Sequence, residues 1–466
     1  MSSRKRKALG GDETIVAVIT PPGEGGIAAL RLAGPNSRTI ALKFLRSSSE
    51  DPIDLQPFVL RYAEFVAGDG VSIDEVTSVF MPLGRSYTGL EQVEIFCHGG
   101  RQVVRMILDE LIKSGARPAE PGEFTKLAFL NGRIDLARAE AVAEIIASGT
   151  ESSFRASREH LLGAYSEHID NLRNELIKIT AEVEASIDFP EEEIRAADSD
   201  ELTRSLSSIG TSIHELIESY SGGRIITEGF TIAICGRPNA GKSSLFNLLL
   251  KQERALVHEV PGTTRDYISE WIELGGVAVN LIDTAGLRTA GGKVEKEGQK
   301  RALEIVSKSH LVLWVVDSSV KGWERRCIKD VKSLRCSNIL VVSNKNDLVR
   351  NNSSSLDKAP APITVRVSCQ TGFGIKELKH NLVARISEKM PDFTSGMVVT
   401  SARHKKKLAE ALTHIKASRR KISADDSPEL VAFELRQATT ALEEITGKVY
   451  TEQILDQIFG KFCIGK

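Results

Sequence analysis

The chain has 466 residues, with 61 Lys and Arg against 62 Asp and Glu, a formal net charge of −1. Hydrophobic residues are 41% and charged residues 26%, which excludes wholesale disorder, and the length suggests about three domains at roughly 100–200 residues each. Near-neutrality excludes a global polybasic field as the route to nucleic acid, though not a local basic patch.

The N-terminus carries Arg4-Lys5-Arg6-Lys7 with no apolar stretch before Gly10-Gly11-Asp12, so it is not a secretory signal. It reads as a disordered basic tail, or alternatively as a short organelle-targeting leader. Residues 14–20 form a strand pattern entering a Gly/Pro turn at 21–26, and 27–32 the returning strand. Residues 91–96 alternate and meet His98-Gly99-Gly100; 101–114 is an amphipathic helix and 118–122 a loop. This first segment reads as a compact α+β domain.

From 124 to about 220 the spacing is helical, over 133–149, 151–187 and 198–220. A break falls at Asp188-Phe189-Pro190, where Pro190 can open a helix whose first turn favours Glu191, Glu192 and Glu193. Ser221-Gly222-Gly223 reads as a linker. Strand and helix patterns then alternate to about 390, with strands at 230–235, 278–282, 311–316, 339–342 and 363–367, the signature of a parallel α/β sheet. Residues 399–455 are helical again. The apolar run 311–316 is far short of the about 20 residues a membrane span needs. The simplest architecture is a helical domain interrupted by an inserted α/β domain.

Gly236-Arg237-Pro238-Asn239-Ala240-Gly241-Lys242-Ser243 follows a strand and precedes a helix at 244–250, the context that G-x-x-x-x-G-K-[ST] requires. Backbone N–H groups of Asn239, Ala240, Gly241 and Ser244 can reach phosphate oxygens at a helix N-terminus. Lys242 supplies positive charge, and Ser243 a hydroxyl for Mg²⁺. Asp283-Thr284-Ala285-Gly286 then places a carboxylate at the next strand end. In Asn344-Lys345-Asn346-Asp347 the aspartate can accept from guanine N1–H and the 2-amino group, donors that adenine lacks. Ser368-Cys369-Gln370 can close the base pocket. Four motifs in register make a guanine-nucleotide domain of the translation-factor-like kind. Thr263 and Thr264 lie where a switch threonine joins Mg²⁺ and the γ-phosphate. Leu287 replaces the glutamine that orients water in Ras-like proteins, so hydrolysis needs another group; Glu295 and Glu297 are candidates. Asn239 could also hold a monovalent cation where other GTPases place an arginine finger.

The six cysteines are Cys97, Cys235, Cys327, Cys336, Cys369 and Cys463; none forms C-x-x-C, which argues against a zinc or thioredoxin-like site, and their scatter over a long chain fits a reducing, intracellular setting with mostly buried thiols. Cys463 reads as a structural thiol, Gly465 and Lys466 fitting a prenylation motif badly; a modification-related role for it is implied only by the family resemblance given next. Arg403-His404-Lys405-Lys406-Lys407 with Lys416, Arg419, Arg420 and Lys421 is either a salt-dependent contact with a nucleic-acid backbone, which under the family resemblance given next would be that of tRNA, or a solvated helix face.

Along nearly its whole length the chain resembles the MnmE (TrmE) family of tRNA-modifying GTPases. The resemblance rests on residues 14–31, 86–100, 120–140, 187–193, the G motifs and Phe462-Cys463-Ile464-Gly465-Lys466. It implies an N-terminal folate-binding and dimerisation domain at 1–125 and a discontinuous helical domain at 126–227 and 389–466. A P-loop G domain is inserted at 228–388. It further implies a homodimer working with an MnmG-like, FAD-dependent partner in a heterotetramer. Together they would add an aminomethyl or carboxymethylaminomethyl group to C5 of the tRNA wobble uridine, with a tetrahydrofolate derivative (5-formyl or 5,10-methylene form) giving the carbon. By position, Arg31, Glu94, Arg133 and Lys466 correspond to folate contacts. Thr264 corresponds to a Mg²⁺ ligand. Asn239, His258, Val260 and Thr263 correspond to K⁺ ligands, within a nucleotide-contacting loop that includes Glu259, Pro261 and Gly262. Glu295 corresponds to the catalytic glutamate, and K⁺-dependent pairing of G domains to the activator of GTP hydrolysis. The alternative is a ribosome-assembly GTPase of Era or Der type; the KH domain or second G domain of those families is not apparent here. A dynamin-type membrane-remodelling GTPase would need a lipid-binding segment, and none is apparent.

Overall fold

The computed structural model describes residues 12–47, 53–188, 196–252, 268–284, 303–334, 338–349, 364–390 and 397–466. The chain divides into two compact units: Met1–Ala143 with His160–Ala181 and Arg436–Lys466, and Glu144–Glu159 with Glu182–Leu435.

The first unit holds β1 (Thr14–Val18), β2 (Gly25–Ala33), α1 (Ser37–Leu42), β3 (Leu45–Arg46), β4 (Arg61–Val66), β5 (Ser72–Met81), β6 (Gln92–Gly99), α2 (Arg101–Lys113), β7 (Ala116–Pro118) and α3 (Glu123–Leu130). The strands form one sheet in the order β3-β4-β5-β6-β2-β1-β7, antiparallel except for the β1–β7 pair. Along β5, Val76, Ser78 and Phe80 are buried while their neighbours are not, the period-two pattern of a sheet covered on one face. Ile107 and Leu111, four apart on α2, bury their side chains in the core with Leu30, Phe65 and Ile95. The C-terminal helix Glu452–Phe459 belongs to this unit; Thr451 caps it by accepting from the N–H of Ile454.

The helical stretch runs α4 (Leu136–Ala147), α5 (Glu151–Leu162), α6 (Ala164–Asp188) and α7 (Ala196–Glu228). Two expectations are corrected here. The stretch 151–187 is two helices, because Gly163 sits at φ +97 and ends α5. A Cβ there would stand 2.3 Å from the Arg138 guanidinium, whose Nη2 donates to the carbonyl of Leu162 at 2.6 Å. Conversely, Ser221-Gly222-Gly223 is no linker: α7 continues through it to Glu228. A Cβ on Gly223 would lie 2.1 Å from the Val399 carbonyl oxygen, so glycine lets the helix backbone approach the segment 398–399. The Pro190 helix start and its three glutamates lie outside the described residues.

The second unit contains β8 (Phe230–Gly236), α8 (Lys242–Gln252), β9 (Ile268–Leu274), β10 (Val277–Asp283), β11 (Leu311–Asp317), β12 (Ile339–Asn344) and β13 (Thr364–Arg366). Their order is β13-β12-β11-β8-β10-β9. β8, β10, β11, β12 and β13 pair in parallel, whereas β9 runs antiparallel to β10. The sheet is therefore mixed rather than purely parallel. Gly275 and Gly276, both at positive φ, turn the chain back directly, where a parallel pair would need a long crossover. Buried Phe230, Ile232, Ile234, Leu281, Leu313, Val315 and Leu340 build its core, each worth about 1.5–3 kcal/mol on burial. The helices Trp323–Ser333, Ile375–Ser387 and Ala402–Ser423 also belong to this unit, and the last packs along α7.

Candidate functional site

Two clusters of functional side chains emerge, one in each unit. In the second unit, β8 is central, flanked by β11 and β10, and its carboxyl end opens into the loop that leads to α8. Open α/β sheets bind ligands at this edge. Asn239 stands exposed in the left-handed conformation at φ +62, and Ala240 is buried beneath it. Lys242 is buried, with Nζ donating to the Arg237 carbonyl at 3.0 Å. Arg237 itself clamps Asp330 of the helix Trp323–Ser333 through two bonds of 2.7 and 2.9 Å. Ser243 Oγ donates to Oδ2 of Asp283 at 2.8 Å, and Asp283 is 2% exposed. A hydroxyl and a buried carboxylate thus converge beside the N-terminus of α8, a hard-oxygen pair that fits Mg²⁺. The Thr284 hydroxyl turns back to the Ile234 carbonyl at 2.9 Å, tying the DTAG strand end to β8. Ser244 is exposed on the first turn of α8.

At the base-binding end, Asn344 joins three segments. Its Nδ2 donates to the Ala240 carbonyl at 2.9 Å, and its Oδ1 accepts from the Cys369 N–H at 3.1 Å. Gly241, at φ +94, must lack a Cβ because one would stand 2.1 Å from that Nδ2. Lys345 lies at φ +64 with Nζ on Oδ2 of Asp317 at 2.6 Å. Burial opposes ionisation of Asp317, but the bonds from Lys345 and Ser319 prevail and hold its carboxyl below the usual carboxylate range. Sequence reasoning missed Asp317, although it ends the apolar strand β11 at the position where such sheets place polar groups. Ser368 Oγ donates to Oδ1 of the exposed Asp347 at 2.5 Å; Gln370 is exposed beside it. Asn239, Ala240, Gly241, Lys242, Ser243, Asp283, Asn344, Lys345, Asp347 and Cys369 are thereby arrayed along one edge of one sheet.

His258, Glu259, Val260, Pro261, Gly262, Thr263 and Thr264 lie outside the described residues, as do Ala285, Gly286, Leu287, Glu295, Glu297 and Cys336.

In the first unit, Arg31 on β2 and Glu94 on β6 face each other directly in the antiparallel register. Arg31 Nε reaches Glu94 Oε1 at 2.9 Å and its Nη2 reaches the same oxygen at 2.8 Å. Gln92, two residues before Glu94 and so on the same sheet face, adds a third donor to Oε1 at 3.0 Å. The Arg31 guanidinium lies 5.4 Å from the Tyr87 ring and 5.5 Å from the Phe124 ring. Tyr87 OH shares a bond of 3.1 Å with Thr125 Oγ1, and burial raises its pKa. These aromatic walls and Gln92 carried no signal in a single sequence. An arginine–carboxylate pair between rings fits a flat heteroaromatic group bearing N–H donors.

The chain's last residues pack against this cluster: the Phe124 N–H donates to the Lys466 carbonyl at 3.0 Å, and Gly122 N–H to that of Cys463 at 3.4 Å. The Lys466 side chain is half-buried and Cys463 exposed. Arg133 donates from Nη1 to the Gly84 carbonyl at 3.1 Å, in the β5–β6 connection that also carries Tyr87. Burial pushes the Cys97, Cys327 and Cys369 thiols up to about 11, so they stay protonated and inert. Among the described residues no group of three or more His, Cys, Asp or Glu could hold a metal, and no helix is long and apolar enough to cross a membrane.

Comparison with known proteins gives matches to two family models. Residues 14–133 match the family described as GTP-binding protein TrmE N-terminus, and residues 136–463 the MnmE helical domain. The tRNA modification GTPase MnmE of Natranaerobius thermophilus is 40% identical over 459 residues, covering 98% of this chain and 100% of that protein. The MnmE of Akkermansia muciniphila is 39% identical over 460 residues, covering 98% of this chain and 99% of its own. Among solved structures, the G domain of the T. maritima FeoB iron transporter matches with a TM-score of 0.26 and 24% identity, over 34% of this chain and 98% of that one.

Proposed function

The chain belongs to the MnmE (TrmE) family of tRNA modification GTPases, and from that premise we propose that it is the GTP-hydrolysing subunit of the complex that modifies C5 of the tRNA wobble uridine. The added group is aminomethyl or carboxymethylaminomethyl, with its carbon drawn from a tetrahydrofolate derivative. The observation that carries the nucleotide reading is the alignment of the Ser243–Asp283 pair and the Asp347–Ser368 pair on the strand ends of one sheet. Family membership along nearly the full chain disfavours the ribosome-assembly alternative.

The buried Lys242 and the N–H groups opening α8 stabilise the phosphates, and Asp347 reads the guanine edge while Ser368 fixes its carboxylate. Mg²⁺, held by Ser243, Asp283 and Thr264, neutralises phosphate charge when bound. Asn239, His258, Val260 and Thr263 would hold K⁺, which would supply the positive charge that an arginine finger gives elsewhere, at paired G domains. Glu295 orients the attacking water, since Leu287 cannot. Arg31, Glu94, Arg133 and Lys466 hold the folate, and Cys463 lies in the same tail as Lys466. The reading keeps the divisions 1–125, 126–227, 228–388 and 389–466, a homodimer, an MnmG-like FAD-dependent partner and a cytoplasmic location.

The test is GTP turnover in K⁺ and Na⁺ at matched ionic strength, with mass spectrometry of wobble nucleosides after gene deletion. Faster turnover in K⁺ and loss of the modified nucleoside are expected. Equal rates in the two salts would sink the potassium step, and unchanged nucleosides the modification itself.

A further inference from the structure

The helix Ala402–Ser423 carries Arg403, Lys405, Lys406, Lys407, Lys416, Arg419, Arg420 and Lys421 against a single acid, Glu410. Its structure sorts these cations. Lys407 is engaged by Glu410 at 2.7 Å, Arg403 by the buried His404 at 2.9 Å, and Lys421 approaches Glu434 at 3.9 Å. Leu408, Ala411, Leu412, Ile415 and Ser418 are buried, and the helix packs along α7. The exposed residues are Ala402, Lys405, Lys406, Ala409, Thr413, Lys416, Arg420 and Ser423. At 3.6 residues per turn all of them fall within one arc of about 100°. That arc holds Lys405, Lys406, Lys416 and Arg420 and no carboxylate. From Lys405 to Arg420 it runs about 22 Å at 1.5 Å per residue. Lys405 is steadied over the Tyr220 ring at 4.6 Å, while Lys406, Lys416 and Arg420 have no acidic partner among the described residues.

A merely solvated helix face mixes both signs of charge and laces them at i,i+4. This face has one sign, is narrow, and is backed by a packed helix, which suits a line of phosphates. We infer that the exposed stripe of the helix Ala402–Ser423 is a docking surface for the phosphodiester backbone of tRNA. The inference rests on the tRNA reading and adds to it the surface used. It also separates cations that the sequence alone groups together: Arg403, Lys407 and Lys421 are structural, and the stripe makes the contact. The helix Trp323–Ser333 also exposes Arg325, Arg326, Lys329 and Lys332, but these cover only about 10 Å of helix axis.

The experiment compares the full-length protein with the triple variant Lys406→Glu, Lys416→Glu, Arg420→Glu, binding an unmodified tRNA transcript between 50 and 200 mM KCl. All three side chains are exposed, so melting temperature and basal GTP turnover should be unchanged. Affinity should fall at least tenfold, and the slope of log K against log salt should lose about 2–3, at roughly 0.7–0.9 per cation removed. The neutral variant Lys406→Gln, Lys416→Gln, Arg420→Gln should lose a similar slope with a smaller loss of affinity. A wild type that binds tRNA and a charge-swapped variant that binds equally, with the same slope, would overturn the surface and leave the tRNA reading standing. Loss of binding on swapping Arg325, Arg326 and Lys329 instead would also overturn it. A stripe needed for anionic phosphatidylglycerol vesicles but not for tRNA would overturn it as well. Failure of the wild type to bind any tRNA would remove the tRNA reading and the surface together.

Discussion

Replacing Asn344 by alanine tests whether one side chain couples the phosphate loop to the base-binding loop. Asn344 is 2% exposed, so both of its side-chain bonds are dry: the donation to Ala240 at 2.9 Å and the acceptance from Cys369 at 3.1 Å. Each such bond is worth about 0.5–1.5 kcal/mol net, and a buried partner left unsatisfied costs about 1–3 kcal/mol. The Ala240 carbonyl and the Cys369 N–H both lose their partner, so a total of about 2–6 kcal/mol is expected. Because both loops would face the nucleotide under the proposed function, that energy should divide between the fold of this unit and its affinity for GDP. Calorimetric titration with GDP should show at least a tenfold loss, about 1.4 kcal/mol. The remainder should lower the melting temperature by about 2–4 °C per kcal/mol. Asn344→Asp is informative beside it, since the acceptor survives while a carboxylate faces the Ala240 carbonyl; it should bind GDP no better than the alanine variant. GDP affinity and melting temperature both unchanged in Asn344→Ala would refute the coupling.

Glu94→Gln and Arg31→Ala should each weaken 5-formyltetrahydrofolate binding by tenfold or more in calorimetry while basal GTP turnover stays intact; wild-type folate affinity in both would disconnect the pair from that ligand. Gly223→Ala should destabilise despite a gain in helix propensity of about 1 kcal/mol, because overpacking against the Val399 carbonyl costs about 1–3 kcal/mol or more. A urea midpoint above that of the wild type would contradict this. His310 is depressed in pKa by burial first and by Lys389 and Arg224 next, and its Nδ1 accepts from the Thr231 N–H at 2.9 Å. The folded state therefore keeps it neutral while the unfolded chain takes up a proton below about 6.5, so stability should fall as pH drops through that range. Thermal melts from pH 7.5 to 5.5 should show a smaller decline in His310→Gln; identical declines would assign the effect to other groups.

The nucleotide half was legible because its chemistry is local. A strand, a glycine-rich loop and a helix in succession allow few uses for Lys242 and Ser243, and the residues that follow β10, β12 and β13 land on the same edge by topology alone. Asp317 escaped notice because its role depends on Lys345, 28 residues away, which only strand pairing brings within 2.6 Å. The pairing of Arg31 with Glu94 had no local signal. Nothing local to Arg31 or Glu94 announces a partner 63 positions away, still less the rings of Tyr87 and Phe124 that flank it.

By itself, then, the sequence determined the strand–loop–helix context of the phosphate loop and the broad alternation of helical and α/β segments, because these follow from residue type and short-range periodicity. Tertiary structure decided where helices end or continue. Gly163 breaks one by adopting a positive φ, and Gly223 passes through another because it packs against Val399. It also decided which cations are available, since net charge counts residues and cannot tell Lys407, neutralised by Glu410, from Lys416 on an unopposed face. Burial and pairing are properties of contacts between distant residues, and those exist only once the chain has folded.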